Sequence, residues 1–149
     1  MVRLHASSCE QVIASPVVGR TLADHGATVI KIVSHSRPRR EMFDVETNHG
    51  KRPLVVELDT TEGRQRLWDL LRVADVVVDG FTEGTLARRG FDRQRVLARN
   101  PHLVYVDLSC FGHTGPLKAG HGFQQNANFA AGVAGVEDVT LRAPLRCVT

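Results

Sequence analysis

Fourteen residues, Cys110–Phe123 (CFGHTGPLKAGHGF), bring together four glycines, a proline, two histidines and a lysine. Histidine titrates near neutrality and can move protons, while glycine opens backbone amides to an anion. Read from residue types, the stretch fits an ordinary surface loop, a phosphate cradle or a catalytic loop holding a histidine. A second concentration lies earlier, in SRPRR (Ser36–Arg40) and NHGKR (Asn48–Arg52). Guanidinium and ammonium groups beside glycine-exposed amides suit phosphate. A solvated basic loop fits the same residues equally well.

Other chemistries lack their residues. There is no GxGxxG after the first strand-like run, no GxxxxGK[ST] and no GxSxG. A dehydrogenase, a P-loop enzyme and a hydrolase built on a nucleophile elbow are therefore disfavoured. Seven histidines are many for 149 residues. His5, His25, His35 and His102 fall at surface or turn positions that fit structural roles, whereas His49, His113 and His121 lie in the loops just described. No pair has the helical spacing of a metal site and no acidic cluster joins them, so no metal is expected. Cys9, Cys110 and Cys147 lack CxxC spacing, which argues against zinc or a disulfide framework and fits a reducing cytosol. Cys110 reads as a small apolar residue at a strand end. Nineteen cationic residues against sixteen anionic ones give a net charge of +3, too balanced to indicate nucleic-acid binding. No basic-then-apolar leader opens the chain and no apolar run reaches the length of a membrane span. The expected compartment is the cytoplasm, with no membrane partner.

The elements that must position these residues follow from the apolar pattern. Short β-branched runs alternate with longer helical periods, the pattern of a mostly parallel α/β sheet with flanking helices. SPVVGRTLADHG predicts a helix with Ser15 as N-cap, Pro16 at the first helical position and Gly26 as the stop. Ala27–Val33 and Arg52–Asp59 predict strands. A helix capped by Asp59 or Thr60 follows, with Leu67, Leu70, Leu71 and Ala74 as its apolar stripe. The unbroken valines of ADVVVDGF predict a strand buried on both faces. Short helices over Thr82–Arg89 and Asp92–Asn100 lead to a strand over Leu103–Ser109. In such a doubly wound fold ligands bind beyond the carboxyl ends of the strands. The loops starting at His35, at Gly80 and after Ser109 all leave carboxyl ends, and all are rich in Gly, His or Arg.

Taken in order, VIASPVVGRTLADHGATVIKI, NHGKRPLVVELDTTEGRQRLWDLLRVADVVVDGF, LARRGFD, NPHLVYVDLSCFGHTGP and AGHGF resemble the class III CoA-transferase family, which contains formyl-CoA transferase and α-methylacyl-CoA racemase. The resemblance runs from about Val12 to Gly132 and rests on order, spacing and residue type in combination. It implies that residues 1–149 form a single CoA-binding, Rossmann-like domain, the N-terminal part of a longer, here truncated, architecture. It also implies acyl-CoA as the ligand, with coenzyme A carried as the substrate thioester. Asn48, Lys51 and Arg52 match the family's CoA loop, and Arg37 or Arg40 would supply a further phosphate contact. Phe81, Gly84 and Leu86 match a loop that lies along the cofactor. Gly112, Thr114, Gly115 and Pro116 match the glycine-rich loop beside the thioester. Racemase members resemble AGHD after that loop, where transferase members have Gly-Tyr-Asp. His121 of AGHG thus falls at one half of a racemase acid/base pair.

The sequence also departs from the family. Ser15 replaces a glycine, HASSCEQ replaces the usual first strand, FTEG lacks a proline, and Gly122 removes an aspartate. The resemblance places a catalytic aspartate shortly after the Ala143–Pro144 segment, and the sequence reaches Thr149 without it. Asp138 is out of register for that role. The isolated chain is therefore expected not to transfer CoA. The readings are a portion of an acyl-CoA enzyme, completed by a homodimeric or complementing partner, or a non-catalytic CoA-binding or interaction module. The rival from another class is a basic α/β domain for a nucleotide or nucleic acid.

Overall fold

The strand at the centre of the sheet is one that the apolar pattern does not announce. In a computed structural model, which describes residues 5–9, 13–35, 45–120, 122–132, 134–135 and 146–147, His5–Cys9 forms β1. It pairs in parallel with β2 (Thr28–Val33) on one side and with β4 (Val76–Asp79) on the other. With β3 (Arg52–Val55) and β5 (Val104–Asp107), the sheet is five-stranded and wholly parallel, in the order β3-β2-β1-β4-β5. HASSC was expected to stand in place of the first strand rather than to form it. The correction has a physical reason: two neighbours pair this backbone on both edges, and that pairing outweighs weak strand propensity.

The helices cover both faces. On one face α1 (Ala14–Asp24) brings Val18, Leu22 and Ala23 against Val29, Val76 and Val78. On the other, α2 (Thr61–Val73), α3 (Thr85–Arg88) and α4 (Arg93–Arg99) contribute Leu67, Leu71, Leu86 and Val96, packed with Ile32, Val77 and Phe91. All four residues of β4 are buried, as its valine run predicts. Alternation along the strand then sends Val77 and Asp79 to the α2 side. Phe91 is 1% exposed and its ring lies 4.9 Å from that of Trp68, over which the Arg99 guanidinium sits at 4.0 Å.

Helix termini are secured locally. Thr60 accepts from the Gly63 N–H at 3.0 Å and Asp92 from the Arg95 N–H at 2.9 Å. Asn100 donates to the Leu71 and Ala74 carbonyls at 3.0 and 2.9 Å, closing the C-terminus of α2. Ser15 is not the cap of α1, and Pro16 is its third residue rather than its first. Ile13 stands there without a side-chain acceptor, and Ser15 is buried inside the first turn.

The chain divides into two compact units, Met1–Leu108 and Ser109–Thr149. The first holds the sheet and α1–α4. The second holds the glycine-rich loop, α5 (Gln124–Ala130) and an antiparallel pair, β6 (Ala134–Gly135) and β7 (Arg146–Cys147).

Candidate functional site

Two acidic side chains at strand ends hold the starts of the loops in the first unit. After β3, the Glu57 carboxylate accepts from the Ser34 hydroxyl at 2.6 Å and from the His35 N–H at 2.7 Å. The Ser34 bond and then the His35 bond hold the Glu57 carboxyl below its usual range. The loop that leaves β2 is therefore tied to the strand beside it.

The return of that loop lies along α1. Arg20 donates to the Glu46 carbonyl at 2.9 Å, and His49 stands 3.9 Å from the Asp24 carboxylate. Gly50 adopts φ +76, which favours glycine, and a Cβ there would press on Ala23 at 3.1 Å. Lys51, half-buried, donates to the Pro16 carbonyl at 2.7 Å and to the Asn48 carboxamide oxygen at 3.4 Å. Lys51 and Asn48 thus pin the loop to the first turn of α1. Arg52 is exposed at the start of β3.

At the end of β4, Asp79 is 9% exposed. One carboxylate oxygen accepts from the Phe81 N–H at 3.0 Å and the other from the Tyr105 hydroxyl at 2.9 Å. Gly84, at φ +76, then opens α3. Leu86 is 4% exposed within the core, and its carbonyl accepts from the Arg89 and Phe91 N–H groups. Of the residues placed beside this loop by sequence, Leu86 is therefore occupied in packing.

The register fixes the spacing between the two groups. Arg52 pairs with Ile30, Ile30 with Ser7 and Ser7 with Val77. Arg52 thus stands three strands, roughly 14 Å, from the level of Val77, two residues short of Asp79. One ligand touching both Arg52 and Phe81 must be extended.

Burial raises Asp79 from its ordinary 3.8 to about 6, the Phe81 and Tyr105 hydrogen bonds oppose the rise, and the negative charge of Asp107 adds to it. The folded state therefore binds this proton more tightly than the unfolded chain does. The group's contribution to stability is full below about pH 4 and declines by about 3 kcal/mol as pH rises to about 6. Asparagine can accept from Phe81 and donate to Tyr105 without a charge. Asp79→Asn is expected to be up to about 3 kcal/mol more stable at pH 7, with the gain shrinking toward pH 4. Urea unfolding of both proteins from pH 4 to pH 7.5 checks this, and parallel stability curves would contradict it.

In the second unit, the loop of Cys110–Phe123 folds on itself. Gly112 and Gly115 take φ +78 and +85 and, with Thr114, are exposed. Cys110 Sγ lies 3.7 Å from the Phe123 carbonyl, and the Asn126 carboxamide accepts the Phe123 N–H at 2.9 Å at the start of α5. A Cβ at Gly120 would meet the Phe111 ring at 3.2 Å. One at Gly122 would overlap Cys110 Sγ and lie 3.0 Å from the Phe111 ring. Any side chain at 122 would thus require Cys110 and Phe111 to move. Gly122→Ala is expected to destabilise by about 1–3 kcal/mol, and Cys110→Ala in the same chain to restore part of that loss. A four-protein unfolding cycle measures the coupling, and strict additivity would contradict the contact.

Arg37, Arg40 and His121 lie outside the described residues. Among the described residues no group of three or more His, Cys, Asp or Glu side chains could hold a metal ion, and no helix is long and apolar enough to cross a membrane. Sequence reading missed Glu57 and Asp79, whose partners Ser34, His35 and Tyr105 lie 22 to 26 residues away. The available signal was an acidic residue immediately after each run of valines, in LVVE and VVVD.

The CoA-transferase family III profile matches residues 8–147. The chain belongs to that family. It is 33% identical over 119 residues to a probable fatty acyl-CoA transferase of Mycobacterium tuberculosis, covering 71% of this chain and 30% of the relative. It is 37% identical over 124 residues to a succinate–glutarate CoA-transferase of Agrobacterium fabrum, covering 71% and 31%. The crystal structure of the M. tuberculosis protein Rv3272 superposes with a TM-score of 0.85 at 27% identity, covering 96% of this chain and 41% of that one. A CAIB/BAIF family protein from Brucella suis gives 0.84 at 29% identity, covering 98% and 43%. This family III chain thus spans about a third of the curated relatives and about two-fifths of the solved ones.

Proposed function

We propose that the chain is the acyl-CoA-binding portion of a family III CoA transferase or acyl-CoA racemase. The observation that carries this reading is a wholly parallel sheet whose site loops, after β2, β4 and β5, fall inside the matched family region. Asn48, Lys51 and Arg52, with Arg37 or Arg40, are assigned to the phosphates of coenzyme A. Phe81 and Gly84 are assigned to its extended chain, with Leu86 backing that loop from the core. Gly112, Thr114 and Gly115 are assigned to the thioester, and His121 to proton transfer at the carbon beside it. A second copy or a complementing chain would supply the other catalytic group, in the cytoplasm.

A second reading, a CoA-binding module without catalysis, is favoured by Gly122, which leaves no acidic side chain beside His121 and stands against Cys110 and Phe111. Calorimetry of the 149-residue chain at fixed salt tests the shared claim. CoA is expected to bind more tightly than ATP, and duplex DNA not to bind. Heat from DNA with none from CoA would transfer the assignment to a nucleic-acid-binding domain.

A further inference from the structure

The Asp79 carboxylate stands between two elements that carry the candidate site. It closes a turn onto the Phe81 N–H at 3.0 Å, at the start of the 80–84 loop, and takes the Tyr105 hydroxyl of β5 at 2.9 Å. Asparagine would satisfy both partners without the expense of a buried charge. The chain thus carries an acidic group where a neutral one would satisfy both partners. We propose that Asp79 is the positioning residue of the 80–84 loop, and that its ionised form holds this loop in the conformation that receives the ligand. This inference rests on the acyl-CoA reading and adds a proton-controlled step to it.

Ionised, Asp79 receives two charge-assisted hydrogen bonds, which are stronger than neutral ones. Protonated, one oxygen becomes a donor and can no longer accept in the same way. The Tyr105 hydroxyl must then turn to accept, and the Phe81 N–H keeps only a neutral acceptor. Among the described residues, titratable and charged groups stand near the site on three elements. Tyr105 and Asp107 come from β5, Cys9 holds the register position on β1, and Arg93 of α4 lies over the Tyr105 ring at 6.0 Å. Asp107 opposes ionisation and the two hydrogen bonds favour it, while burial places the transition near pH 6.

Two readouts on the 149-residue chain separate this inference from the acyl-CoA reading. The first is the hydrogen-exchange protection of the Phe81 amide, referenced to Val78 and Val106 in the adjoining strands. Protection is expected to fall about tenfold from pH 7 to pH 5 in the wild type and to stay level in Asp79→Asn. Tyr105→Phe removes a bond to the charged form and is expected to move the midpoint above that of the wild type. The second is the affinity for dephospho-CoA, which lacks the phosphate monoester that itself titrates near pH 6. That affinity should weaken at least threefold over the same range in the wild type alone. Level Phe81 protection in the wild type, or an identical decline in Asp79→Asn, would overturn the role of Asp79. Absence of CoA binding with an intact Phe81 transition would overturn the ligand and leave the loop control standing.

Discussion

Gly63→Ala is expected to destabilise the protein by about 3 kcal/mol or more, although helix propensity alone predicts a gain of up to about 1 kcal/mol. Gly63 lies buried in the first turn of α2, and a Cβ there would overlap the Glu57 carbonyl oxygen and come within 2.6 Å of its carbon. That carbonyl cannot retreat freely. It accepts from the Thr60 N–H at 3.1 Å and the Thr60 hydroxyl at 2.9 Å, and Thr60 in turn caps the helix through Gly63. The same residue's carboxylate ties Ser34 and His35, so displacement at position 57 reaches the loop after β2. Urea denaturation decides the sign. A lower midpoint at unchanged slope is expected, and a variant as stable as the wild type would contradict the packing.

His121→Ala carries the largest expected effect on chemistry. In a chain of full family length, α-proton exchange of a 2-methylacyl-CoA should fall by about 10²–10⁴, the usual contribution of one acid/base group. The prediction follows from AGHG at 119–122 and from the thioester, which makes the α-proton acidic. Binding of the acyl-CoA should change little, because the imidazole is assigned to the proton and the phosphates to the earlier basic loop. Unchanged exchange would remove His121 from the reaction. An enzyme that transfers CoA but exchanges no α-proton in either form would assign the protein to the transferase side of the family.

The sheet was legible where side chains announce it. The valines of 76–78 and the stripe of Leu67 and Leu71 sit where burial and helical period place them. β1 was illegible because HASSC carries no alternation and is a strand by virtue of its neighbours. Ser15 was misread because a serine before proline resembles a cap, while burial against the fold decides its place. The helix of Gln124–Ala130 was not foreseen, since QQNANFA shows no apolar stripe. In the site, the basic and glycine-rich loops were visible from composition. Their fastenings were not, because Glu57, Asp79 and Lys51 each meet a partner 22 to 35 residues away (His35, Tyr105 and Pro16) that only the folded chain brings near.

Amide shift mapping of the 149-residue chain titrated with CoA bears most directly on the acyl-CoA assignment. The expected result is movement at Asn48, Lys51, Phe81 and Gly84, with Leu67 and Leu71 of α2 unmoved. No movement at those four positions, or the same movement with duplex DNA, would contradict it.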